Sequence, residues 1–231
     1  MIGYGNIEDH ENSRRVSAEL AFQFPESRRA FLAESFALRA LGKPIDGDKL
    51  AGQRLQRIPD DVDAMHVLVW DAIVRQEYPA AYELTRKIAD ASKAESGDWN
   101  QLAWFTLFFR RTDGPDLDAA IKASQLAQNN ASILHTLGCV YAELGKTKDA
   151  REVLIQAMDL LELDEPNADY WYAFGRIAEQ HGEREIAADD YAKVNRPTHD
   201  WQIPSSTYSL AAVRTHVLSE GEQKVSQEIK H

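Results

Sequence analysis

The chain has 231 residues, of which 44% are hydrophobic and 27% are charged, and these proportions are ordinary for a soluble globular protein. Its formal net charge of -11 argues against nucleic acid and against an anionic membrane surface as partners, because both are bound by basic surfaces. The acid excess is concentrated in residues 113–200, where 17 Asp and Glu face 8 Lys and Arg, so this region is either a solvated outer face or a surface that favours a basic partner.

The chain begins with MIGYGNIEDHENSRR, which lacks the cationic and then apolar segments of a signal peptide. It contains no apolar run of the ~18 residues that a membrane span needs. A single cysteine, Cys139, leaves no intrachain disulfide to form. These features predict a soluble cytoplasmic protein, with the alternative that the chain is a piece of a longer one.

Helix-forming residues dominate the sequence, and strand signals are scarce. Apolar residues recur with a spacing near 3.6 in segments that include 27–41, 63–75, 80–91, 117–128 and 205–218. Glycine and proline breaks separate these segments, and Asp63 and Ser205 stand where helix N-caps are expected. The pattern predicts an all-helical protein in which short turns make neighbouring helices antiparallel.

The most regular part of the chain begins at Leu134. Counted from that residue, Gly follows at +4, Tyr at +7, Gly at +11, Ala at +16 and Leu at +20. Counted from Trp171, the offsets +4, +11, +16 and +20 give Gly, Gly, Ala and Tyr. Small residues at +4 and +16 would let two helix backbones approach closely, and glycine at +11 would end the first helix. Each unit is therefore predicted to be a helical hairpin.

Weaker copies of this pattern start at Met65 and Trp99, and the faintest one at Phe31. The origins 65, 99, 134 and 171 are separated by 34, 35 and 37 residues. In the copy from Trp99 the turn RRTDGPD is about five residues too long. An origin at Trp104 would restore the spacing to Ala120, but it would run the first helix through Asp113-Gly114.

The stretches LHTLGCVYAELGKTKDAREVLIQAM and WYAFGRIAEQHGEREIAADDYAKV resemble the tetratricopeptide repeat, which has a period near 34 residues and this order of bulky, glycine and alanine positions. The resemblance is clearest over residues 131–194. It implies an α-solenoid of antiparallel helical hairpins that coil into a right-handed superhelix. The repeats would span approximately 27–58, 62–93, 96–128, 131–163 and 168–195, within one helical-repeat domain over residues 1–231.

A C-terminal helix over approximately 205–220 is predicted to cap the last hairpin, because the end of a stacked array otherwise exposes apolar surface. Trp201 lies in the connection NRPTHDWQIP that leads to this helix, where it would either pack on the array or contact a partner. The family usually closes each unit with a proline. Here Pro166 comes late, which predicts that the second helix of that hairpin is one turn longer.

The resemblance implies that the first helices of the hairpins line a concave groove, which binds a peptide or helix of a protein partner. Positions +1 and +5 from each origin lie one turn apart and are expected to face inward. The predicted groove residues combine aromatic area with polar groups, and they are His66, Trp70, Asn100, Trp104, His135, Cys139, Tyr172 and Arg176. The alternative for Trp70 and Trp104 is packing between adjacent hairpins.

The sequence offers no catalytic residues, metal site or cofactor motif. It contains no His-Glu-x-x-His, no Cys-x-x-Cys and no glycine-rich phosphate loop. His135 and Cys139 lie four residues apart on one predicted helix face, where they would form a Cys–His couple or two metal ligands, but a third group is missing. We therefore predict a protein that is not an enzyme and that carries no metal or cofactor.

The predicted function is a non-catalytic protein–protein interaction module or scaffold that binds a protein or peptide partner. The partner would be basic if the acidic region is a binding surface and not a solvated outer face. Two alternatives stay open. In the first, the chain is a non-catalytic repeat domain or subunit of a larger enzyme or secretion assembly. In the second, it is a structural protein that self-associates into a homo-oligomer. Helical repeats that read RNA have a similar period, but the acidic charge disfavours them.

Overall fold

The computed structural model describes residues 7–90, 94–109 and 114–228, and the side chains of residues 9–90, 94–109 and 114–220. All regular structure in these ranges is helical, with no strand. The predicted all-α class, built from helical hairpins, is confirmed. None of the helices in these ranges combines the length and the apolar character that crossing a bilayer needs.

The helices follow one another with short connections. The first five are α1 (Ile7–Gln23), α2 (Arg28–Ala40), α3 (Pro44–Arg57), α4 (Val62–Val74) and α5 (Tyr78–Ala89). The next six are α6 (Ser96–Phe105), α7 (Leu117–Leu126), α8 (Ala131–Glu143), α9 (Thr147–Leu160), α10 (Ala168–Gln180) and α11 (Arg184–Ala192). A 3-10 helix, Asp200–Ser205, leads to α12 (Thr207–Glu228).

In most of the helical hairpins, a short polar side chain caps the N-terminus of the first helix. Their oxygens accept hydrogen bonds from backbone N–H groups of the first turn, which have no partner within the helix. The caps are Ser27 for α2, Asp61 for α4, Asn130 for α8 and Asn167 for α10. The prediction of Asp63 as a cap is wrong, because Asp63 lies inside the first turn of α4 and pairs with Arg28. Ser205 likewise lies in the 3-10 helix, two residues before α12.

Glycines shape the hairpins of the best-matched repeats in two ways. Gly145 and Gly182 follow α8 and α10 with φ of 70° and 79°, the left-handed conformation that the spacing predicted. Gly138 lies where two helices meet, since a Cβ there would come within 2.6 Å of Leu154. A Cβ at Gly175 would meet Tyr191 at the same distance.

The contact between the two helices of a hairpin therefore differs in detail from the predicted contact between the residues at +4 and +16. The glycine at +4 faces the large side chain at +20, rather than the small residue at +16. The alanines at +16, Ala150 and Ala187, are nevertheless fully buried. In these two hairpins a large side chain on the second helix thus fills the space that the glycine leaves on the first.

The described residues divide into two compact units. The first takes the described residues before 91 together with His199–Pro204, and the second takes those from 94 to Thr198 together with those from Ser205 onward. The prediction of one domain over residues 1–231 stays a prediction.

In the first unit α1 packs against α2, and the hairpins α2–α3 and α4–α5 pack side by side. Phe31, Ala51, Ala64 and Val67 form part of its core. Trp201 packs edge-on against Phe36, with ring centroids 5.5 Å apart, so its contact is with the array. The sequence pattern does not predict helix α1, because few apolar residues mark a core-facing stripe along it.

In the second unit the hairpins α6–α7, α8–α9 and α10–α11 follow one another, and α6, α8 and α10 are neighbours. Helix α12 packs on α10 and α11, and its residues Leu210, Ala211 and Leu218 are buried in the same core as Tyr191. This contact is the one predicted for a terminal capping helix. Helix α9 has 14 residues against 9 in α11, and Pro166 lies in the loop that follows it.

Candidate partner-binding site

Helices α6, α8 and α10 of the second unit line a cavity of about 270 Å³. Each of α6, α8 and α10 contributes side chains to it, and the segment before α12 forms a further wall. The lining residues are Asn100, Trp104, Ser132, His135, Thr136, Asp169, Ser205, Ser206 and Thr207. Because these residues come from four parts of the chain, the cavity exists only when the hairpins are stacked.

Trp104 is the aromatic wall of the cavity, and it is half-buried. Its indole Nε1 donates a hydrogen bond to the backbone carbonyl of Ser205 at 3.0 Å. The ring also packs against Phe108 at 5.5 Å and against His135 at 5.8 Å between centroids. These contacts on three sides hold the indole in one orientation, which is what an aromatic anchor in a binding site requires.

His135 is held by the helix that follows in the stack. Its Nε2 lies 3.1 Å from the backbone carbonyl of Asp169 and 3.6 Å from the Sγ of Cys139. Burial lowers the pKa of His135, and the Asp169 carbonyl opposes this effect only in part. The neutral ring therefore donates from Nε2 to that carbonyl, which leaves Nδ1 as a hydrogen-bond acceptor.

Two oxygen groups complete the polar lining. Among the described residues, Oδ1 of Asn100 is buried and has no hydrogen-bond partner. Asp169 lies in the first turn of α10, where Thr207 donates a hydrogen bond to its Oδ1 at 3.1 Å. A carboxylate has room for several donors, so this single bond leaves most of its accepting capacity free.

The structure brings three of the predicted groove residues together, since Asn100, Trp104 and His135 all line the cavity. Cys139, Tyr172 and Arg176 do not join them. They are buried, with 0%, 1% and 5% of their surface exposed, so a partner does not reach them in this structure. The expectation that they face an open groove is corrected accordingly, because Tyr172 and Arg176 form hydrogen bonds to Glu143 of α8 and Cys139 packs in the core of the second unit.

The two buried residues of α10 belong to a polar network instead. The Tyr172 hydroxyl and Arg176 Nε both donate to Oε1 of Glu143, the latter at 2.7 Å. Arg176 Nη1 also donates to Glu179 at 2.7 Å, and Arg214 of α12 pairs with the same carboxylate. Burial tends to raise the pKa of Glu179, but hydrogen bonds from Arg214 and Tyr191 outweigh it and lower the pKa.

His66 and Trp70 lie on α4 in the first unit and are half-buried. The Arg39 guanidinium lies 5.8 Å from the centroid of the Trp70 ring. These two groove predictions stay predictions.

The Cys139–His135 couple is unsuited to nucleophilic chemistry. Cys139 is fully buried, and burial together with the charges of Glu143 and Asp169 raises its pKa well above the ordinary value. The thiolate that would attack a substrate or bind a metal is therefore disfavoured. Within the part of the chain that the structure describes, no cluster of three or more His, Cys, Asp or Glu residues is placed to hold a metal ion.

Sequence reasoning missed Ser132 and Asp169, which both occupy offset −2 in their repeats, in the first turn of α8 and α10. The spacing rule for inward positions considered +1 and +5 alone. Extending it one turn toward the N-terminus would have found both. No signal in the sequence indicates that Ser205–Thr207 would close the cavity, since that contact depends on how α12 docks.

No family model matches the sequence, and no curated protein matches it. Several solved structures match the fold, and they include two TPR proteins. YrrB, described as a TPR protein with an unusual peptide-binding site, is 14% identical, with a TM-score of 0.55 over 87% of this chain and 97% of that one. TTC0263, a thermophilic TPR protein of Thermus thermophilus, is 19% identical, with a TM-score of 0.55 over 83% and 98% of the two chains. The chain therefore has the α-solenoid fold of the tetratricopeptide repeat (TPR) proteins.

Proposed function

We propose that the protein is a non-catalytic interaction module that binds an extended segment or helix of a partner protein, with the cavity between α6, α8 and α10 as its anchoring site. The observation that carries the proposal is the convergence of Asn100, Trp104 and His135 on one cavity, beside a buried oxygen of Asn100 without a partner. The peptide-binding site ascribed to YrrB, which shares the fold, gives further support.

The size of the cavity limits what it would hold. Pockets that enclose whole small molecules have volumes of about 300–1,000 Å³. A volume of about 270 Å³ lies below that range and suits a single side chain. We therefore regard the cavity as the pocket for one anchor residue of a longer segment, with the rest of the segment lying on the surface around it.

The proposed location is the cytoplasm, a reducing compartment in which the lone thiol of Cys139 would persist. The chain would serve there either by itself or as a non-catalytic subunit of a larger assembly.

Self-association is a second candidate, which one observation favours. Val213 and Val217 lie four residues apart on α12, with 61% and 43% of their surface exposed. An apolar pair on a terminal helix is a feature of some dimer surfaces. Light scattering on the wild type and on a Val213→Lys variant would detect this state, and a monomer at all concentrations would exclude it.

The proposed function is tested by screening a random peptide display library on the full chain. Replacement of Trp104 by Ala should weaken the selected peptides by about thirtyfold, because loss of an aromatic anchor costs about 2 kcal/mol. The matched control is Trp171→Ala on α10, whose ring contacts Phe174 and Lys193 and lies outside the cavity lining.

The control variant should bind as the wild type does, and circular dichroism should confirm that both variants fold. Equal losses in the two tryptophan variants, or no enrichment of any peptide, would contradict the proposed function.

A further inference from the structure

We propose that the cavity recognises a basic side chain of the partner, arginine in preference to lysine. This inference rests on the proposed function and names the residue type that the anchoring site takes. Three features of the lining support it: the polarity of its hydrogen-bonding groups, its aromatic wall and its charge.

The lining is rich in hydrogen-bond acceptors that lack donors. Oδ1 of Asn100 is buried without a partner among the described residues, and a donor from a ligand would recover the free energy that a buried unpaired oxygen costs. The carboxylate of Asp169 accepts one bond, from Thr207. His135, whose Nε2 is engaged with a carbonyl, offers the lone pair of Nδ1. A guanidinium carries five N–H donors and no acceptor, so its chemistry complements these groups.

The two threonine hydroxyls of the lining add no free donor to the cavity. Thr136 donates its hydroxyl proton to the carbonyl of Ser132 at 3.2 Å, and Thr207 donates its proton to Asp169. Both threonine oxygens keep their lone pairs, while their protons are committed within the protein.

The aromatic wall selects a flat cation. Trp104 is fixed through its Nε1–H, which is donated to Ser205, so this N–H is already committed. The face of an indole attracts a cation, and arginine stacks on it more often than lysine does. A planar guanidinium against Trp104 keeps its edge N–H groups available for acceptors, whereas an ammonium presents donors at one point only.

The charge around the cavity has the sign that attracts a base. Its lining includes Asp169 and no Lys or Arg among the described residues. Residues 113–200, which supply four of the nine lining residues, carry a net charge of -9 from 17 acidic and 8 basic side chains. Such a field steers a cationic segment toward the site and opposes a carboxylate or phosphate.

The experiment uses the full chain and peptides selected from a random display library. Arginine should be enriched at one position of these peptides. Replacing that arginine by citrulline, which has nearly the same shape but no charge, should weaken binding by about tenfold, since cation–π and charge contacts are worth about 1–2 kcal/mol. Lysine at the same position should bind with an affinity between the two.

The cavity variant for this test is Asp169→Asn, which keeps an acceptor for Thr207. It should reduce the preference for arginine over citrulline, while Asp164→Asn, which removes an exposed carboxylate outside the lining, should leave that preference unchanged. In a second variant, Asn100→Lys, the protein's own ammonium would occupy the cavity, and arginine peptides should lose binding.

The outcomes separate the two proposals. Two results would overturn the inference and leave the proposed function standing. In the first, the selected peptides bind the Trp104→Ala variant more weakly but contain no enriched basic residue. In the second, they bind the wild type equally well when citrulline replaces arginine. A ratio of arginine to citrulline binding that is the same in Asp169→Asn as in the wild type would overturn it as well. Absence of any selected peptide would overturn both.

Discussion

Asp71 is a fully buried carboxylate in the first unit, between three helices. Its Oδ1 accepts a hydrogen bond from Nε of Arg39 on α2 at 3.0 Å, and Oδ2 has no partner among the described residues. Gly47 of α3 makes room for it, since a Cβ there would come within 2.2 Å of Oδ2. Burial raises the pKa of Asp71 to about 6 despite the opposing charge of Arg39.

The raised pKa of Asp71 predicts a loss of stability as the pH increases. The unfolded chain releases this proton near 3.8 and the folded chain near 6, so the folded state binds more protons in between. The free energy of unfolding should therefore fall between pH 4 and pH 6. Relative to Asp71→Asn, which does not titrate, the wild type should lose on the order of 2 kcal/mol over this window.

Urea denaturation at a series of pH values measures this difference. Asp46→Asn, which removes an exposed carboxylate from α3, corrects for the change in net charge. Parallel pH curves for the wild type and Asp71→Asn would show that the prediction is wrong.

Gly138 allows the two helices of its hairpin to approach. A methyl group there would lie 2.6 Å from Cγ and Cδ2 of Leu154, which is itself fully buried, so the hairpin would have to move apart. Gly138→Ala should lower the free energy of unfolding by about 1–3 kcal/mol, as other overpacked cores do. Gly52→Ala on α3 is the matched control, because a Cβ there meets nothing within 4 Å.

The control substitution should instead stabilise the protein by about 0.5–1 kcal/mol through helix propensity. Chemical denaturation of the two variants measures both effects, and a stabilised Gly138→Ala would contradict the packing described for the hairpin.

At the scale of helices, the sequence predicted the paired elements because each carries its own signals. Apolar spacing, a cap such as Asn130 and a terminal glycine such as Gly145 are local, and they agree with one another over the best-matched repeats. Helix α1 lacks such agreement and was missed. The sequence predicted less well which side chains are buried. Burial of Tyr172 and Arg176 depends on partners in a neighbouring hairpin, such as Glu143, and no local sequence pattern indicates it.

Polar contacts help to attach helix α12 to α10 and α11. Arg214 pairs with Glu179, and Arg184 of α11 donates to the carbonyl of Leu218 at 2.6 Å. Arg214→Ala should weaken this attachment by about 2 kcal/mol, since it removes charge-assisted hydrogen bonds from a largely buried carboxylate.

Hydrogen exchange should then accelerate in α12 and remain slow in α8 and α9. Arg86→Ala, which removes an exposed pair with Asp90 on α5, is the control and should change neither region. Unchanged exchange in α12 of Arg214→Ala would show that apolar packing alone retains the helix.

At the scale of the whole chain, the described residues divide into two compact units, and helical-repeat proteins are stabilised mainly by contacts between neighbouring elements. A lesion should therefore be felt most in the unit that contains it. In Gly138→Ala, we expect hydrogen exchange to accelerate across α8–α11 more than across α2–α5. Equal acceleration in both regions would indicate that the chain unfolds as one cooperative body.

The wall that Ser205–Thr207 contribute to the cavity is continuous with the start of α12. The shape of the pocket is therefore set in part by a helix whose own anchors, at Arg214 and Leu218, lie two and three turns further along. Shortening the chain before residue 205 would remove one side of the ligand's enclosure along with the helix. Affinities measured on such a shortened protein would describe a pocket of different shape, even if α6, α8 and α10 kept their places.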